Sequence, residues 1–479
     1  MVARSVRPDA PARLTFPDGV GRRPRAEEDD LRGLDGLHGE PGSAAWWETV
    51  AAVGTPLWCP DGLVGPGGAG GARSGTPTLL FLHRDATAGE VYLDLVGLTD
   101  RSDLTAGAMH RVPGTDVRVA AYGVEPGFVG SYALVPHHGE LRSPAPRDTP
   151  EARRWWLGVL AASGPDPLAR VHQVIERQGS RRSVATVPPT EALPDVAGTA
   201  VVAGGPGGAG AAGTSGAAEA AAVGSEVPVP DAFVWDRPDG VDQPAWLHVP
   251  ASLPPASSGA VDGGVDEGEG AATEVGVLVL FDGRMWAEQV PVAPVLDALH
   301  DRGAVPATVV VMLDSMNPDR READLAGADG YLDLLADDLL PRLVAPALAD
   351  RGLVLSGDPA RTVVAGQSYG GLAAFRAVAH RPDRFGASVS QSGSFWWPDH
   401  DAPQHRAVPA WLASAPPRTA RTVLQVGTYE GSLTGSNRQV AALVRDRGEH
   451  LVHTEVPGGH DWAWWSRRLG EGVVAALGG

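Results

Sequence analysis

The chain has 479 residues, a formal net charge of −19 at pH 7 and 43% hydrophobic residues. This length is enough for two or three domains, and the negative charge, without any block of Lys and Arg, argues against nucleic acid or anionic membrane as the main partner. A single cysteine, Cys59, excludes an intramolecular disulfide. No long apolar run occurs, so we expect no signal peptide and no membrane insertion. We therefore expect a cytoplasmic location.

The first half of the chain is predicted to form an all-β domain behind a mobile leader. Residues 1–40 are rich in Arg, Asp, Glu, Gly and Pro, which predicts a disordered leader. Residues 41–193 are predicted to form an immunoglobulin-like β-sandwich whose Pro- and Arg-rich end, from 141 onward, is an extended connector. The strand-sized apolar runs are 78–82, 91–96, 117–122 and 130–135.

The second half has the pattern of an α/β domain. Residues 194–226 are mostly Ala, Gly, Val and Ser and are predicted to be a flexible linker. Residues 227–479 form the predicted catalytic domain, with a low-complexity surface insertion at 258–273. From Glu274 onward, nearly continuous Val and Leu strands alternate with helices, which indicates a mostly parallel sheet covered on both faces.

One motif in this domain suggests a nucleophile. Gly366, Ser368 and Gly370 form a G-x-S-x-G sequence between a Val-rich strand and an Ala-rich helix. That order is typical of the nucleophile elbow of the α/β-hydrolase fold, where small residues on either side of the serine permit a sharp turn. We therefore predict that Ser368 is a nucleophile and that the backbone N–H of Tyr369, at the start of the next helix, stabilises an oxyanion.

An activated serine needs a base and usually an acid that orients the base. In this fold the acid and then the histidine follow the serine in the chain, and the histidine lies in a loop near the C-terminus. His460, in a Gly-rich loop, is the predicted base, and Glu430, after the strand at 422–426, is the predicted acid. Asp461 is an alternative acid, and a Ser–His dyad remains a further possibility.

The second oxyanion donor is expected in the loop that follows an early strand. Residues 281–286 form that loop, and the backbone N–H of Arg284 or Met285 is the candidate. Asp282 is expected to brace the loop.

With these motifs together, the chain resembles the enterochelin (ferric enterobactin) esterase family, in the esterase group of α/β-hydrolases. The resemblance spans roughly residues 44–479 apart from the two low-complexity insertions. It is carried by the segments 111–117, 130–132, 280–288, 363–372, 381–386, 390–398 and 458–461.

The resemblance implies an esterase that cleaves the trilactone of iron-loaded catecholate siderophores, with Ser368 as the attacking group. It implies no protein cofactor, because iron would arrive with the substrate. A ferric tris-catecholate is a trianion, so arginines and tryptophans around the pocket are expected to bind it. The candidates are Arg284, Arg321, Arg438, Trp286, Trp396 and Trp462.

Two other functions fit the same motifs. An esterase or acyltransferase of the same fold could act on another ester, such as a feruloyl or lipid ester. A siderophore-binding protein with a silent triad is the non-enzymatic alternative. The siderophore itself and the oligomeric state do not follow from the sequence.

Overall fold

The computed structural model describes residues 20–22, 31–32, 34, 36–63, 77–87, 89–146, 149–171, 181–189, 229–253, 272–327, 329–398, 407–414 and 416–478. The predicted linker at 194–226 and the insertion up to residue 271 lie outside these residues. The chain divides into two compact units, and the division does not follow the chain order. The first unit contains Met1–Leu193 together with Gly427–Thr434 and Glu455–Trp464, and the rest of the chain forms the second unit.

The first unit is built on an eight-stranded sheet in the order β2-β3-β6-β5-β4-β7-β8, with β1 paired to β6. Its neighbouring strands pair antiparallel. All four strands predicted from apolar runs are present, whereas the immunoglobulin-like topology remains a prediction. The strands are β1 Gly21–Arg22, β2 Leu57–Cys59, β3 Thr78–Arg84, β4 Glu90–Leu95, β5 Ala108–Arg111, β6 Val117–Gly123, β7 Val129–His137 and β8 Ser183–Thr186.

Two segments of this unit differ from the sequence-based expectation. The stretch from 141 was expected to be an extended connector, but it contains helix α2, Pro150–Ala162, and strand β8. Thr149 caps α2 through its side chain, a local signal that marks a helix start. Part of the predicted leader is ordered as well, because β1 pairs with β6 and Leu31 is fully buried.

Helix α1, Ala44–Val53, covers one face of this sheet. Ser43 caps the helix by accepting a hydrogen bond from the Trp46 backbone N–H at 3.2 Å. Trp46 and Trp47 are buried in a cluster that includes Leu80 and Leu82 of β3. The two tryptophans therefore attach the helix to the sheet through a large apolar surface.

The second unit is built on a nine-stranded sheet in the order β17-β16-β15-β14-β11-β12-β10-β9, with β13 paired to β11. The pairs of β11 with β12, β13 and β14, and of β15 with β14 and β16, are parallel; β10 is antiparallel to β9 and β12. The strands are β9 Asp231–Asp236, β10 Asp242–His248, β11 Thr273–Phe281, β12 Thr308–Leu313, β13 Leu353–Leu355, β14 Thr362–Gln367, β15 Ala387–Gln391, β16 Arg421–Gly427 and β17 Leu451–Val456.

Helices cover this sheet and complete its core. Val279 of β11 and Val311 of β12 lie in one buried cluster with Leu339 and Ala374 from the helices. Such two-sided burial explains why these strands have continuous apolar sequences. The helices are α3 Ala293–Asp301, α4 Pro318–Leu325, α5 from Gly330–Leu334 through the π-helical Leu335–Val344 to Ala345–Ala349, α6 Tyr369–His380, α7 Ala407–Ser414, α8 Ser432–Asp446 and α9 Trp462–Leu477.

No helix among the described residues is long and apolar enough to cross a bilayer. Nor do they contain a group of three or more His, Cys, Asp or Glu side chains placed to hold a metal ion.

Candidate active site

Ser368 lies at the sharp turn between strand β14 and helix α6. Its backbone has φ 59° and ψ −116°, a conformation that L-residues other than glycine seldom adopt. A Cβ on Gly366 would lie 2.7 Å from the backbone of Gly370, and a Cβ on Gly370 would lie 3.2 Å from the Phe281 side chain. Both glycines are therefore needed for the chain to make this turn.

The surroundings of Ser368 add a residue that the motif did not indicate. The Ser368 Oγ lies 3.3 Å from the Oγ of Ser394, and the Ser394 backbone N–H donates to the Ser368 carbonyl oxygen at 3.0 Å. Tyr369 is the first residue of α6, where backbone amides have no acceptor within the helix. The serine thus lies beside a second hydroxyl and at the positive end of a helix.

A second strained residue, Asp282, follows strand β11 with φ 59°. Its carboxylate accepts two hydrogen bonds from Arg321, each of 2.6 Å, and a third from the Ser315 hydroxyl. Arg321 also donates to the carbonyl oxygen of Gln367 at 3.0 Å. Arg321 therefore links the loop after β11 to the residue that precedes Ser368.

Charge compensation stabilises this link. Burial disfavours the charged guanidinium of Arg321, but the adjacent Asp282 carboxylate outweighs that effect and raises the pKa of Arg321. With a side chain 24% exposed and held by two bonds to one carboxylate, Arg321 has the geometry of a brace. The expected role of Arg321 at the rim of a pocket stays a prediction.

The loop after β11 distinguishes the two candidate oxyanion donors. The Met285 N–H donates to the Asp282 carbonyl oxygen at 3.0 Å, so it is already used within the turn. The backbone N–H of Arg284 is the other candidate. The Arg284 side chain is 54% exposed and lies 2.7 Å from Asp314, whose carboxylate raises the pKa of Arg284.

The remaining predicted pocket residues differ in exposure. Trp286 and Trp462 are buried, which is the environment of core residues. Trp396 is half-buried, with its ring 5.9 Å from that of Tyr369. Arg438 is exposed on helix α8. Of the predicted tryptophans, Trp396 is thus the one that combines partial exposure with a position beside the residue following Ser368.

His460 and Glu430 come together within the first unit. The Nδ1 atom of His460 lies 2.6 Å from the Oε2 atom of Glu430. The other carboxylate oxygen of Glu430 accepts a hydrogen bond from the Gly427 N–H at 2.7 Å. The Glu430 side chain is 1% exposed and that of His460 is 32% exposed. A buried carboxylate thus holds one ring nitrogen of a half-exposed histidine.

Asp461, the alternative acid, has other partners. Its carboxylate accepts hydrogen bonds from the backbone N–H and the hydroxyl of Ser131, and from the Ala463 N–H at 3.1 Å. The last bond caps the start of helix α9. Among the two candidate acids, Glu430 is the one whose carboxylate contacts the His460 ring.

Two parts of the chain match known protein families. Residues 78–195 match the model of the family described as Enterochelin esterase, N-terminal, and residues 269–475 match the family model named Esterase. The iron(III) enterobactin esterase of Dickeya dadantii (strain 3937) is 29% identical over an alignment of 457 residues, which covers 90% of this chain and 92% of that protein.

Solved structures have the same architecture over the same extent. The ferric enterobactin esterase of Salmonella typhimurium superposes with a TM-score of 0.68 at 26% identity. An enterobactin esterase from Shigella flexneri, solved in the presence of enterobactin, gives a TM-score of 0.66 at 25% identity. Each match covers 91% of this chain and 98% of the other chain. The chain therefore belongs to the enterochelin esterase family of carboxylic ester hydrolases.

Proposed function

We propose that the protein is a serine esterase that hydrolyses the trilactone ester bonds of ferric catecholate siderophores such as enterobactin, and so releases iron. The observation that carries the proposal is the extent of the family relationship. The relative named iron(III) enterobactin esterase from Dickeya dadantii matches 90% of the chain, including both the N-terminal part and the part that holds Ser368, Glu430 and His460.

In the first chemical step, the Ser368 Oγ attacks a lactone carbonyl carbon and His460 takes the hydroxyl proton. Glu430 bonds to His460 Nδ1, which keeps the proton on that nitrogen and leaves Nε2 as the base. The negative carboxylate also stabilises the imidazolium that forms when His460 accepts the proton.

The tetrahedral intermediate carries its charge on the former carbonyl oxygen. We assign its stabilisation to the backbone N–H groups of Tyr369, at the start of α6, and Arg284, after β11. When the intermediate collapses, the bond between the carbonyl carbon and the ester's alkoxide oxygen breaks, and His460 gives its proton to that oxygen, which leaves as an alcohol. Water, activated by the same histidine, then hydrolyses the acyl-enzyme and restores Ser368.

Iron(III) belongs to the substrate in this proposal. Arg284 and Arg438 are the candidate cations for the trianionic complex, and Trp396 is the candidate for stacking on a catechol ring. Arg321 is assigned to bracing the oxyanion loop instead, since Asp282 compensates its charge.

We infer an immunoglobulin-like sandwich within residues 41–193 and a mostly parallel hydrolase sheet within 227–479. We further infer that the enzyme acts in the cytoplasm on siderophores that have been imported with their iron.

One observation favours a second candidate, an esterase for another substrate such as a feruloyl or lipid ester. Arg284 and Arg321 both have carboxylate partners, which reduces the positive charge available for a trianion. A neutral ester would not need that charge. The same catalytic steps would apply, so only a comparison of substrates separates the two candidates.

The test is hydrolysis of ferric and iron-free catecholate trilactone, beside feruloyl and lipid esters, by the wild-type protein and by Ser368→Ala. We expect the wild type to open the trilactone and the variant to lose about 1,000-fold or more in kcat. A fluorophosphonate probe should label the wild type and leave Ser368→Ala unlabelled. A wild-type protein without trilactone activity, or a variant equal to it, would contradict the proposal.

A further inference from the structure

We propose that a buried network in the first unit positions His460 for catalysis. The network consists of Asp94, Arg182, Ser131 and Asp461, and we call it the anchor network. The inference rests on the proposed role of His460 as the base. It assigns a function to N-terminal residues that lie far from His460 in the chain.

The network begins with an ion pair. Arg182 Nη1 lies 2.6 Å from Asp94 Oδ2, and Arg182 Nη2 donates to the Asp94 carbonyl oxygen at 2.7 Å. The two side chains are 3% and 1% exposed. Removed from water, the carboxylate holds the guanidinium in one orientation.

From this pair the network continues to Ser131. Arg182 Nε donates to Ser131 Oγ at 3.1 Å, and Ser131 Oγ lies 3.1 Å from Asp461 Oδ1. A hydroxyl has one hydrogen to donate, and here Oγ accepts from arginine, which has no acceptor atoms. The Ser131 hydrogen is therefore directed toward Asp461.

Asp461 receives more than this one bond. The Ser131 backbone N–H donates to the other carboxylate oxygen, and Ala463 N–H donates to Oδ1 at 3.1 Å. The residue is buried, so these contacts replace the water that a carboxylate requires. The position of Asp461 is thereby determined by strand β7 and by the start of helix α9.

Gly459, the residue that precedes His460, is also packed closely against the N-terminal part of the chain. A Cβ on Gly459 would lie 2.6 Å from the Gly97 Cα, so two glycine backbones are in contact there. Two residues further back in the chain, the Pro457 carbonyl oxygen accepts a hydrogen bond from the Val129 N–H at 3.0 Å. His460 thus lies between two neighbours that N-terminal residues hold in place.

The same part of the chain holds the segment of the acid. Tyr429, next to Glu430, stacks on Phe128 with ring centroids 5.7 Å apart, and its hydroxyl accepts from the Glu125 N–H at 3.1 Å. Both members of the His460–Glu430 pair therefore adjoin residues anchored on strands β4 and β7 or on the loops beside them. Asp461 acts in this scheme as a positioning residue and not as the acid.

The experiment compares Ser131→Ala with Ser183→Ala. Ser183 is a matched control, because it is also a buried serine of this unit, and its hydroxyl accepts from the Asp166 N–H at 3.0 Å without contacting Asp461. We expect Ser131→Ala to lower kcat about 10- to 100-fold, with KM within about twofold, because misplaced catalytic groups slow the chemical step. Ser183→Ala should retain kcat within about threefold.

Two further readouts separate positioning from general destabilisation. The rate of fluorophosphonate labelling should fall with kcat in Ser131→Ala, measured below the unfolding temperature of each variant. The low-field NMR resonance of the His460 Nδ1 proton, identified by its loss in His460→Ala, should broaden or shift in Ser131→Ala and not in Ser183→Ala. Should Ser131→Ala not fold, Asp461→Asn, which keeps the shape of the side chain, replaces it with the same expected result.

The outcomes distinguish this inference from the function on which it rests. An active, labelled wild type with unchanged kcat and NMR signal in Ser131→Ala or its replacement would overturn the anchor network alone. Equal losses in Ser131→Ala and Ser183→Ala would also overturn it, because a shared structural effect would then explain both. A wild type that neither reacts with the probe nor hydrolyses the trilactone would overturn both proposals.

Discussion

At the scale of single residues, the sharp turn at Ser368 depends on the absence of a Cβ atom from Gly366 and from Gly370. Ser368 has a positive φ, which costs an L-residue about 1–3 kcal/mol and persists only where the surroundings enforce it. Gly366 and Gly370 permit this conformation of Ser368, because a Cβ on Gly366 would collide with the Gly370 backbone and a Cβ on Gly370 would crowd the Phe281 side chain. The G-x-S-x-G motif is therefore a steric requirement of the turn.

Gly366→Ala tests this requirement. The added methyl group would lie 2.7 Å from Gly370, so we expect a loss of about 1–3 kcal/mol in the free energy of unfolding, together with loss of esterase activity. Gly435→Ala on helix α8 is the control, because a Cβ there meets no described atom within 4 Å. Urea unfolding should show the control as stable as the wild type or more so; equal stability of both variants would contradict the steric argument.

At the scale of elements, three glutamines join the ends of adjacent strands. Gln367, Gln391 and Gln425 are paired in register on β14, β15 and β16 and are all buried. Gln367 Nε2 donates to Gln391 at 2.9 Å, and Gln391 Nε2 donates to Gln425 at 2.8 Å and to the Trp465 carbonyl oxygen at 3.0 Å. These bonds link the strand before Ser368 to its neighbours and to helix α9.

Gln391→Met should reveal the contribution of this row. Methionine fills a similar volume but leaves amide groups of Gln367 and Gln425 without their partner, at about 1–3 kcal/mol for each unsatisfied group. We expect the free energy of unfolding, measured by urea titration, to fall by about 1–3 kcal/mol for each amide group that loses its partner. Ser388→Ala, on the same strand, removes a buried hydroxyl that has no hydrogen-bond partner among the described residues, and should be nearly neutral. A similar loss in both variants would refute the role of the row.

At the scale of the whole molecule, buried ion pairs make stability depend on pH. Burial opposes ionisation of Glu449, but Arg418 and Arg447 outweigh it and hold the pKa of Glu449 below its ordinary value. In the first unit the pKa of Asp94 is also lowered, because Arg182 outweighs the effect of burial. A carboxylate with a lowered folded-state pKa stabilises the protein above its unfolded pKa, about 4, and this contribution disappears as the pH falls through the folded value.

We therefore expect the unfolding free energy to be nearly constant from pH 7 to 5 and to fall steeply below about pH 4. Glu449→Gln should be less stable at pH 7, since it leaves two arginines without their carboxylate, but its stability should decrease less on acidification. Glu48→Gln, at an exposed position, is the control and should follow the wild type. The measurement is urea unfolding at pH 7, 5, 4 and 3; parallel curves for Glu449→Gln and wild type would contradict the assignment.

Much of this architecture could be predicted from local pattern. Strands such as β11 and β12 were evident because continuous Val and Leu runs are typical of strands buried on both faces. Helix α2 was missed because Pro and Arg around it suggested an extended connector, although Thr149 and Pro150 are a helix-start signal. In the site, the position of Glu430 after the end of a strand predicted it as the acid, with Asp461 as the alternative, and the contact of Glu430 with His460 is visible only in the folded chain.

The sequence by itself determined most of the elements and the chemistry of single positions, namely the serine elbow and the histidine in its Gly-rich loop. It also determined the family that the chain resembles. Such features can be predicted because local backbone conformation depends on residues that are close together in the chain. Only the tertiary structure decided the partners of the charged groups, namely Glu430 with His460, Ser131 with Asp461 and Arg321 with Asp282. Those pairs join residues 30 to 330 positions apart, and such pairing depends on how the strands and loops pack, which no local pattern encodes.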